Sequence, residues 1–238
     1  MLRRLANGIR KLLAGLRPFG ESVWPGVRND LFVAHRSIYL FFARYVAARR
    51  VLDAGCGAGY GSFELSGAGA HSVVGIDIDR LSIRYARKHY KAPNLHFEVL
   101  DCEEMGEIDQ TFDVIVSSNV LEHLEDPRAF LDSAGKLLAA RGVLVIAVPP
   151  ILSEADLAGH RGIHYHRANL SVDGWLTLFD GARWQAEVFR HDYSGSLGLD
   201  FTSPRPSRTT PEEFTFTLTD RDGLYARAPI TALFVLRR

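Results

Sequence analysis

One short segment limits the fold of this chain more than any other. Residues 51–62 read VLDAGCGAGYGS, an apolar run that ends in Asp53 and then breaks into alternating glycines. The apolar run predicts a buried strand. Gly55, Gly57 and Gly59 predict a sharp turn, because glycine adopts positive φ angles freely and lets a ligand approach the backbone. The segment therefore predicts a strand, a ligand-binding turn and a helix, in that order.

Strand-like and helix-like segments alternate after this turn. Short apolar runs lie at 51–53, 73–78, 95–100, 113–117 and 142–148, and helical patterns lie between them at about 60–67, 80–90 and 127–139. Continuous apolar strands that alternate with helices indicate a parallel sheet that is covered on both faces. The fold predicted is therefore α/β, with a mainly parallel sheet.

The two ends of this region have patterns of their own. Residues 31–46 are apolar and aromatic, and they predict a helix in which Tyr39 belongs to the core while the role of His35 stays open. Residues 171–179 predict a second helix, capped by Ser171. Three strand-like runs follow at 183–193, 213–220 and 230–238. The parallel core is therefore expected to end in late antiparallel strands.

Composition argues against several classes of function. The 28 Lys and Arg residues balance the 28 Asp and Glu residues, so no net charge favours a nucleic-acid partner. Cys56 and Cys102 have neither a disulfide framework nor a zinc-ligand spacing, which indicates reduced thiols and a cytoplasmic protein. No apolar run approaches the roughly 20 residues that a bilayer span requires.

The spacing of the glycines separates two kinds of nucleotide-like cofactor. The dinucleotide fingerprint G-x-G-x-x-G requires a glycine where Tyr60 stands if it begins at Gly55, and where Ser62 stands if it begins at Gly57. An acid directly before the turn, here Asp53, repels a pyrophosphate but attracts an ammonium group. The turn therefore favours S-adenosylmethionine over a nicotinamide dinucleotide.

Two further acids stand at the ends of the next two strands. Asp77 ends the second strand, where a carboxylate can accept hydrogen bonds from a ribose diol. Asp101 follows the third strand, where it can accept from an adenine amino group while Cys102 offers its backbone N–H. A single acid at a strand end is common, but three beside one glycine turn indicate a binding site.

Five motifs together resemble the class I S-adenosylmethionine-dependent methyltransferases. They are VLDAGCGAGYGS, VVGIDID, VLDCEEM, FDVIVSSNVLEHLEDP and GVLVIAVPP, in this order over residues 50–150. The resemblance implies a Rossmann-like sheet of seven strands with the last one antiparallel. It also implies that Asp53 and Gly55 hold the methionine end of the cofactor, Asp77 the ribose and Asp101 the adenine. The full set of expected cofactor contacts is Asp53, Gly55, Cys56, Gly57, Tyr60, Asp77, Ile78, Asp101, Cys102 and Asn119.

Histidines after the fourth and fifth strands are the candidates for a general base. His123, in the EH pair of the fourth motif, lies close to the transferred methyl group in similar enzymes. His164 and His166 alternate, so they share one face if their segment is extended. A structural role is the alternative for each of them. We expect no metal site, because magnesium prefers oxygen ligands and no carboxylate lies between Asp156 and Asp173.

The first residues form a unit of their own in this interpretation. Within residues 1–20, leucine and isoleucine recur at helical spacing with basic residues between them, which predicts a basic amphipathic helix. Such a helix packs on the domain or on a second subunit, as in a homodimer, or it lies on an anionic membrane surface. We therefore expect this helix and a linker at 1–30, then one methyltransferase domain at 31–238. Its cofactor half is 31–150, and its substrate-side elements are 151–238.

The function expected from the resemblance is methyl transfer from S-adenosylmethionine, which leaves S-adenosylhomocysteine. The expected acceptor is an oxygen of a small molecule, a saccharide or a lipid-linked compound, and no nucleic acid. One alternative is an NAD-dependent oxidoreductase on a similar sheet. A second alternative is a non-catalytic subunit that keeps the fold and binds the cofactor. The location expected is cytoplasmic, with peripheral membrane contact left open.

Overall fold

The apolar runs predicted as strands pair into one mixed sheet. The computed structural model describes Val23 and residues 25–238. Its strands are β1 (Arg50–Ala54), β2 (Ser72–Asp77), β3 (Leu95–Val99), β4 (Phe112–Ser118), β5 (Leu138–Val148), β6 (Gln185–Tyr193), β7 (Phe214–Thr219) and β8 (Thr231–Arg237). They lie in the order β3-β2-β1-β4-β5-β8-β6-β7. Strands β1 to β5 pair in parallel, and β8 is antiparallel to both β5 and β6. The α/β class and the antiparallel last strand are confirmed.

The described part of the sheet has eight strands rather than the seven that the resemblance implies. The added strand is β7, which pairs antiparallel with β6 at the edge of the sheet. Its sequence alternates Phe and Thr, and this pattern suits a strand with one buried face. Phe216 packs its ring against Phe41, with ring centroids 4.8 Å apart, while the threonines at 215 and 217 are exposed. The segment pairs as a strand because this apolar face is covered.

Seven helices accompany the strands within the described residues. They are α1 (Asp30–Phe42), α2 (Tyr60–Gly67), α3 (Arg80–His89), α4 (Pro127–Leu137), α5 (Glu154–Arg161), α6 (Val172–Gly181) and α7 (Arg221–Ala226). The side chains of Asp79, Asp126 and Ser171 accept backbone N–H groups in the first turns of α3, α4 and α6. These helices begin where a side-chain oxygen satisfies otherwise unpaired donors.

Apolar clusters pack against both faces of the sheet. In β4, Ile115 packs in one cluster with residues of α4 and α6. Its neighbours Val114 and Val116 pack in the other cluster with residues of α1 and α2. Because successive side chains of a strand point to opposite faces, both sets must be apolar when both faces are covered. The layered core therefore explains the continuous apolar runs in the sequence.

The predicted amphipathic helix at 1–20 and most of the expected unit at 1–30 lie outside the described residues. Among the helices that the structure describes, none has the length and apolarity needed to span a membrane.

Candidate functional site

The turn between β1 and α2 adopts the conformation that its glycines predict. Gly55, Gly57 and Gly59 have φ angles of +82°, +52° and +84°. The backbone N–H groups of Gly55 and Cys56 both donate to the carbonyl of Ile76, at 2.9 Å. A Cβ atom on Gly55 would lie 2.2 Å from Cγ2 of Val120. This turn therefore needs glycine at position 55 for its backbone angle and also for its close packing.

The carboxylate of Asp77 joins this turn to the end of β2. Its Oδ2 accepts from the backbone N–H of Gly57, and its Oδ1 accepts from that of Asp79, both at 2.8 Å. Burial raises the pKa of Asp77, and the two backbone donors oppose this shift. Asp101 follows the neighbouring strand β3 and accepts from the N–H of Glu103 at 2.9 Å. The two acids stand at one edge of the sheet because β2 and β3 are parallel neighbours.

A cleft of about 990 Å³ lies at this edge of the sheet. The predicted cofactor residues that line it are Gly55, Cys56, Gly57, Tyr60, Asp77, Ile78, Asp101, Cys102 and Asn119. Burial raises the pKa of both cysteine thiols, which keeps them neutral. A cleft of this size with a few converging polar groups is typical of a small-molecule site. The structure thus brings together residues that the sequence separates by more than sixty positions.

Asp53 is the predicted cofactor residue that the structure places elsewhere. Its side chain is fully buried beneath the turn, where it accepts from Ser62 Oγ at 2.6 Å and from Tyr39 OH at 3.2 Å. Burial raises the pKa of Asp53 to about 7, and the two hydroxyl donors oppose this shift. No part of this carboxylate is exposed to the cleft in the structure, so contact of Asp53 with the cofactor stays a prediction. The carboxylate holds Tyr39, which does line the cleft.

Helix α1 supplies one wall of the cleft. Leu31, His35 and Tyr39 all line the cleft, and Tyr39 is also a buried core residue, as predicted. Residues four apart lie on one face of a helix, so this spacing was a usable signal. Burial lowers the pKa of His35 to about 4, which keeps its imidazole neutral. The wall is therefore aromatic and uncharged.

The opposite wall joins the turn after β4 to the segment after α5. The carbonyl of Glu122 accepts from the backbone N–H groups of Arg167 and Ala168, at 2.8 and 3.0 Å. His123 Nδ1 lies 3.1 Å from the carbonyl oxygen of Tyr165. The ring centroids of His123 and His166 are 5.0 Å apart. These contacts place two of the three predicted catalytic histidines side by side at the cleft.

His164 lies apart from this pair. The prediction that His164 and His166 share one face requires an extended segment. The chain turns here instead, and the N–H of His166 donates to the carbonyl of Ile163 at 3.0 Å. His164 is consequently exposed and does not line the cleft, whereas His166 does.

Comparisons with known proteins agree with this fold and cleft. A family model described as a methyltransferase domain matches residues 46–183. A Mycolicibacterium smegmatis protein named as a probable S-adenosylmethionine-dependent methyltransferase is 33% identical over 132 residues, which are 55% of this chain and 50% of that protein. The ubiquinone biosynthesis O-methyltransferase of Rhizobium etli is 35% identical over 107 residues, which are 44% of this chain and 43% of that protein.

A solved structure extends the similarity beyond these segments. The S-adenosylmethionine-dependent methyltransferase of Mesorhizobium loti matches with a TM-score of 0.59 at 17% identity, over 86% of this chain and 98% of that one. At this identity the match shows the fold. The chain spans about half the length of the curated relatives that it matches. The family match covers more than half of the chain, and the chain therefore belongs to the class I S-adenosylmethionine-dependent methyltransferase family.

Proposed function

We propose that the protein transfers a methyl group from S-adenosylmethionine to an oxygen atom of a small-molecule, saccharide or lipid-linked acceptor. One observation carries the proposal. The left-handed glycine turn and the acids at the ends of β2 and β3 converge on a single cleft of about 990 Å³. Carboxylates can accept from a ribose diol and from an adenine amino group, and a bare turn accommodates the amino-acid portion of the cofactor.

The residues present fit this cofactor better than a dinucleotide. The N–H of Gly57 already donates to Asp77, so it is not offered to a phosphate. Two acids facing the cleft also repel a pyrophosphate. In the proposal, Asp77 holds the ribose and Asp101 the adenine, while Gly55 and Gly57 approach the methionine end. The cofactor, when bound, supplies a methyl group on a sulfonium that is already activated for transfer.

The chain's own contribution to the reaction is positioning. The cleft walls exclude water and fix the acceptor relative to the cofactor, and such alignment can supply much of a rate enhancement. His123 and His166 also line this cleft. We assign to them the positioning of the acceptor oxygen and the removal of its proton. Asp53 acts through Tyr39 as a positioning residue.

A named relative supports the oxygen acceptor, and an arginine in the cleft indicates an acidic group on that acceptor. The Rhizobium etli relative is named as an O-methyltransferase of ubiquinone biosynthesis. Arg167 also lines the cleft, where it pairs with Glu125 at 2.5 Å. An arginine at this place can bind an acidic group of the acceptor.

Calorimetry with S-adenosylhomocysteine tests the proposal. The purified chain should bind this product at one site and should not bind NADH. Incubation with S-adenosylmethionine and a panel of phenols, saccharides and lipid-linked hydroxyl compounds should then release S-adenosylhomocysteine. Folded protein that binds no S-adenosylhomocysteine would overturn the function. Binding without turnover on any acceptor would instead support the non-catalytic subunit.

His123 offers a sharper test of the acceptor side. We expect His123→Ala to lower kcat by about 10²- to 10⁴-fold, the range for loss of a group that moves a proton. The affinity for S-adenosylhomocysteine should stay close to that of the wild type, because the proposal assigns His123 to the acceptor and not to the cofactor. His96→Ala, on the exposed face of β3, is the matched control and should keep full turnover. Unchanged turnover in His123→Ala would remove this residue from the mechanism.

A further inference from the structure

The structure places three metal-ligand side chains together at the acceptor end of the cleft. One ligand atom from each of Glu122, His123 and His166 lies within 4.8 Å of the other two. Glu122 is only 3% exposed, and the two histidines are half-buried. The carboxylate that is missing between Asp156 and Asp173 comes from another element, the turn after β4. The argument from one segment against a metal therefore does not hold for the folded chain.

We propose that Glu122, His123 and His166 bind one divalent transition-metal cation. Two imidazoles and one carboxylate form a ligand set of the type that binds Zn²⁺, Fe²⁺ or Co²⁺, whereas Mg²⁺ prefers oxygen ligands alone. The cleft also has acids at 77, 101, 103 and 125, and these favour a cation electrostatically.

The contacts made by Nδ1 of the two histidines support this assignment. Nδ1 of His123 lies 3.1 Å from the carbonyl oxygen of Tyr165, and Nδ1 of His166 lies 2.9 Å from Nδ1 of His160. Metal-bound histidines usually donate their second ring N–H to a carboxylate, a backbone carbonyl or water, as His123 can to Tyr165, and this contact fixes the tautomer and the ring orientation. In the proposal, Nε2 of each imidazole is therefore the metal ligand.

The backbone around the cluster is fixed as well. The N–H groups of Arg167 and Ala168 donate to the carbonyl of Glu122, so the two ligand-bearing segments are joined directly. In a tetrahedral site with bonds of about 2.1 Å, two ligand atoms lie about 3.4 Å apart. The three ligand atoms lie within 4.8 Å of one another, and side-chain rotation brings them closer when a cation binds. The fold thus supplies most of the ordering that a metal site requires.

The function of the cation follows from its place in the cleft, and this part of the inference rests on the proposed methyl transfer. Three protein ligands leave coordination positions open for an oxygen atom of the acceptor. A bound cation lowers the pKa of a coordinated hydroxyl, as it does for water. The acceptor class indicated is a compound whose reacting hydroxyl, alone or with a neighbouring oxygen, can coordinate a metal. With the cation bound, His123 and His166 act as its ligands and position the acceptor through it, and the acidified hydroxyl loses its proton to water rather than to an imidazole.

Cobalt binding tests the site without any assay of turnover. The full chain is stripped with EDTA, dialysed, and titrated with Co²⁺ while visible absorption is recorded, and Zn²⁺ is titrated by calorimetry. We expect one ion per chain, with millimolar Mg²⁺ unable to displace it. His160→Ala removes a hydrogen-bonding partner of a ligand and should weaken Co²⁺ binding by roughly 10–100-fold. His166→Ala and Glu122→Gln remove ligands and should weaken Co²⁺ binding by more than this. His164→Ala, two residues from His166 but outside the cluster, should bind Co²⁺ as the wild type does.

The affinity for S-adenosylhomocysteine is measured on the same samples, which shows whether each variant is folded. A wild-type chain that binds neither Co²⁺ nor Zn²⁺ would overturn the metal site, as would equal Co²⁺ binding by His166→Ala and His164→Ala. If S-adenosylhomocysteine still binds in those cases, the proposed function survives without the metal. Metal binding without S-adenosylhomocysteine binding would keep the site and overturn the proposed function.

Discussion

Gly55 shows how much the glycine turn depends on one residue. Its φ of +82° costs a residue with a side chain about 1–2 kcal/mol, and the overlap with Val120 adds about 1–3 kcal/mol. We expect Gly55→Ala to lower the free energy of unfolding by the sum of these costs, measured by urea denaturation. It should also weaken S-adenosylhomocysteine binding.

The control for this prediction is Gly67→Ala. Gly67 ends α2, and a Cβ atom there would meet nothing within 4 Å. An alanine at this position should be neutral or stabilising by up to about 1 kcal/mol. Equal losses of stability in the two variants would show that the turn does not require a glycine at position 55.

Asp77 is expected to act as a ligand contact and as a support for the turn. In Asp77→Asn, one of the two backbone N–H donors would face an amide NH₂ group instead of an oxygen. Hydrogen bonds to charged groups contribute about 1.5–3 kcal/mol, so S-adenosylhomocysteine should bind roughly 10- to 100-fold more weakly by calorimetry. Asp109→Asn removes an exposed acid after β3 and should leave the affinity unchanged. An affinity for Asp77→Asn within twofold of the wild type would contradict the assignment.

At the scale of elements, β7 is stabilised by its aromatic face. Phe216 packs between Phe41 and His191, with centroid distances of 4.8 and 4.7 Å. Phe216→Ala should lower the free energy of unfolding by about 2–3 kcal/mol, less than the roughly 3–5 kcal/mol of a fully buried phenylalanine. Leu218→Ala, on the same face of the same strand but 61% exposed, should change it by less than about 0.5 kcal/mol. Urea denaturation that gives equal losses would show that packing does not stabilise this edge.

Elements were more predictable from the sequence than the contacts between them. The runs at 51–53 and 113–117 predicted strands because both faces of β1 and β4 are covered, so most of their residues are apolar; Asp53 and Ser117 are buried polar exceptions. Helix starts at Asp79 and Asp126 were predictable because capping is a local interaction. Helix α5 was missed although Ser153 and Asp156 have the spacing of a capping box.

Some residues of the candidate site were likewise predictable from the sequence, and others were not. Asp77 and Asp101 could be assigned to one edge, because the carboxyl ends of parallel strands lie together. The position of Asp53 beneath the turn could not be predicted, because it depends on a hydrogen bond from Tyr39 in helix α1. The contact of Glu122 with the segment after α5 likewise depends on how the loops fold over the sheet. Such contacts lie between distant parts of the sequence, and no local pattern encodes them.

At the scale of the whole molecule, one buried histidine should contribute a loss of stability in acid. His191 is fully buried between α1 and β8, with Nε2 2.9 Å from Ser37 Oγ and Nδ1 3.2 Å from Thr231 Oγ1. Burial lowers the pKa of His191 to about 3, and His35 lowers it further, while Asp192 opposes the shift. In the unfolded chain the pKa of a histidine is about 6.5. Above pH 6.5 the imidazole is neutral in both states, so its protonation does not affect folding.

Below about pH 6.5 the unfolded chain binds a proton that folded His191 cannot bind, so the free energy of unfolding should fall by about 1.4 kcal/mol per pH unit from this residue alone. Urea denaturation between pH 7.5 and pH 5 measures the slope. His191→Asn should be less stable at pH 7.5, because it loses packing, but its slope should be smaller by about one proton. His71→Asn removes an exposed imidazole that water solvates in both states, and it should keep the wild-type slope. A slope that His191→Asn leaves unchanged would mean that the acid sensitivity arises from other groups.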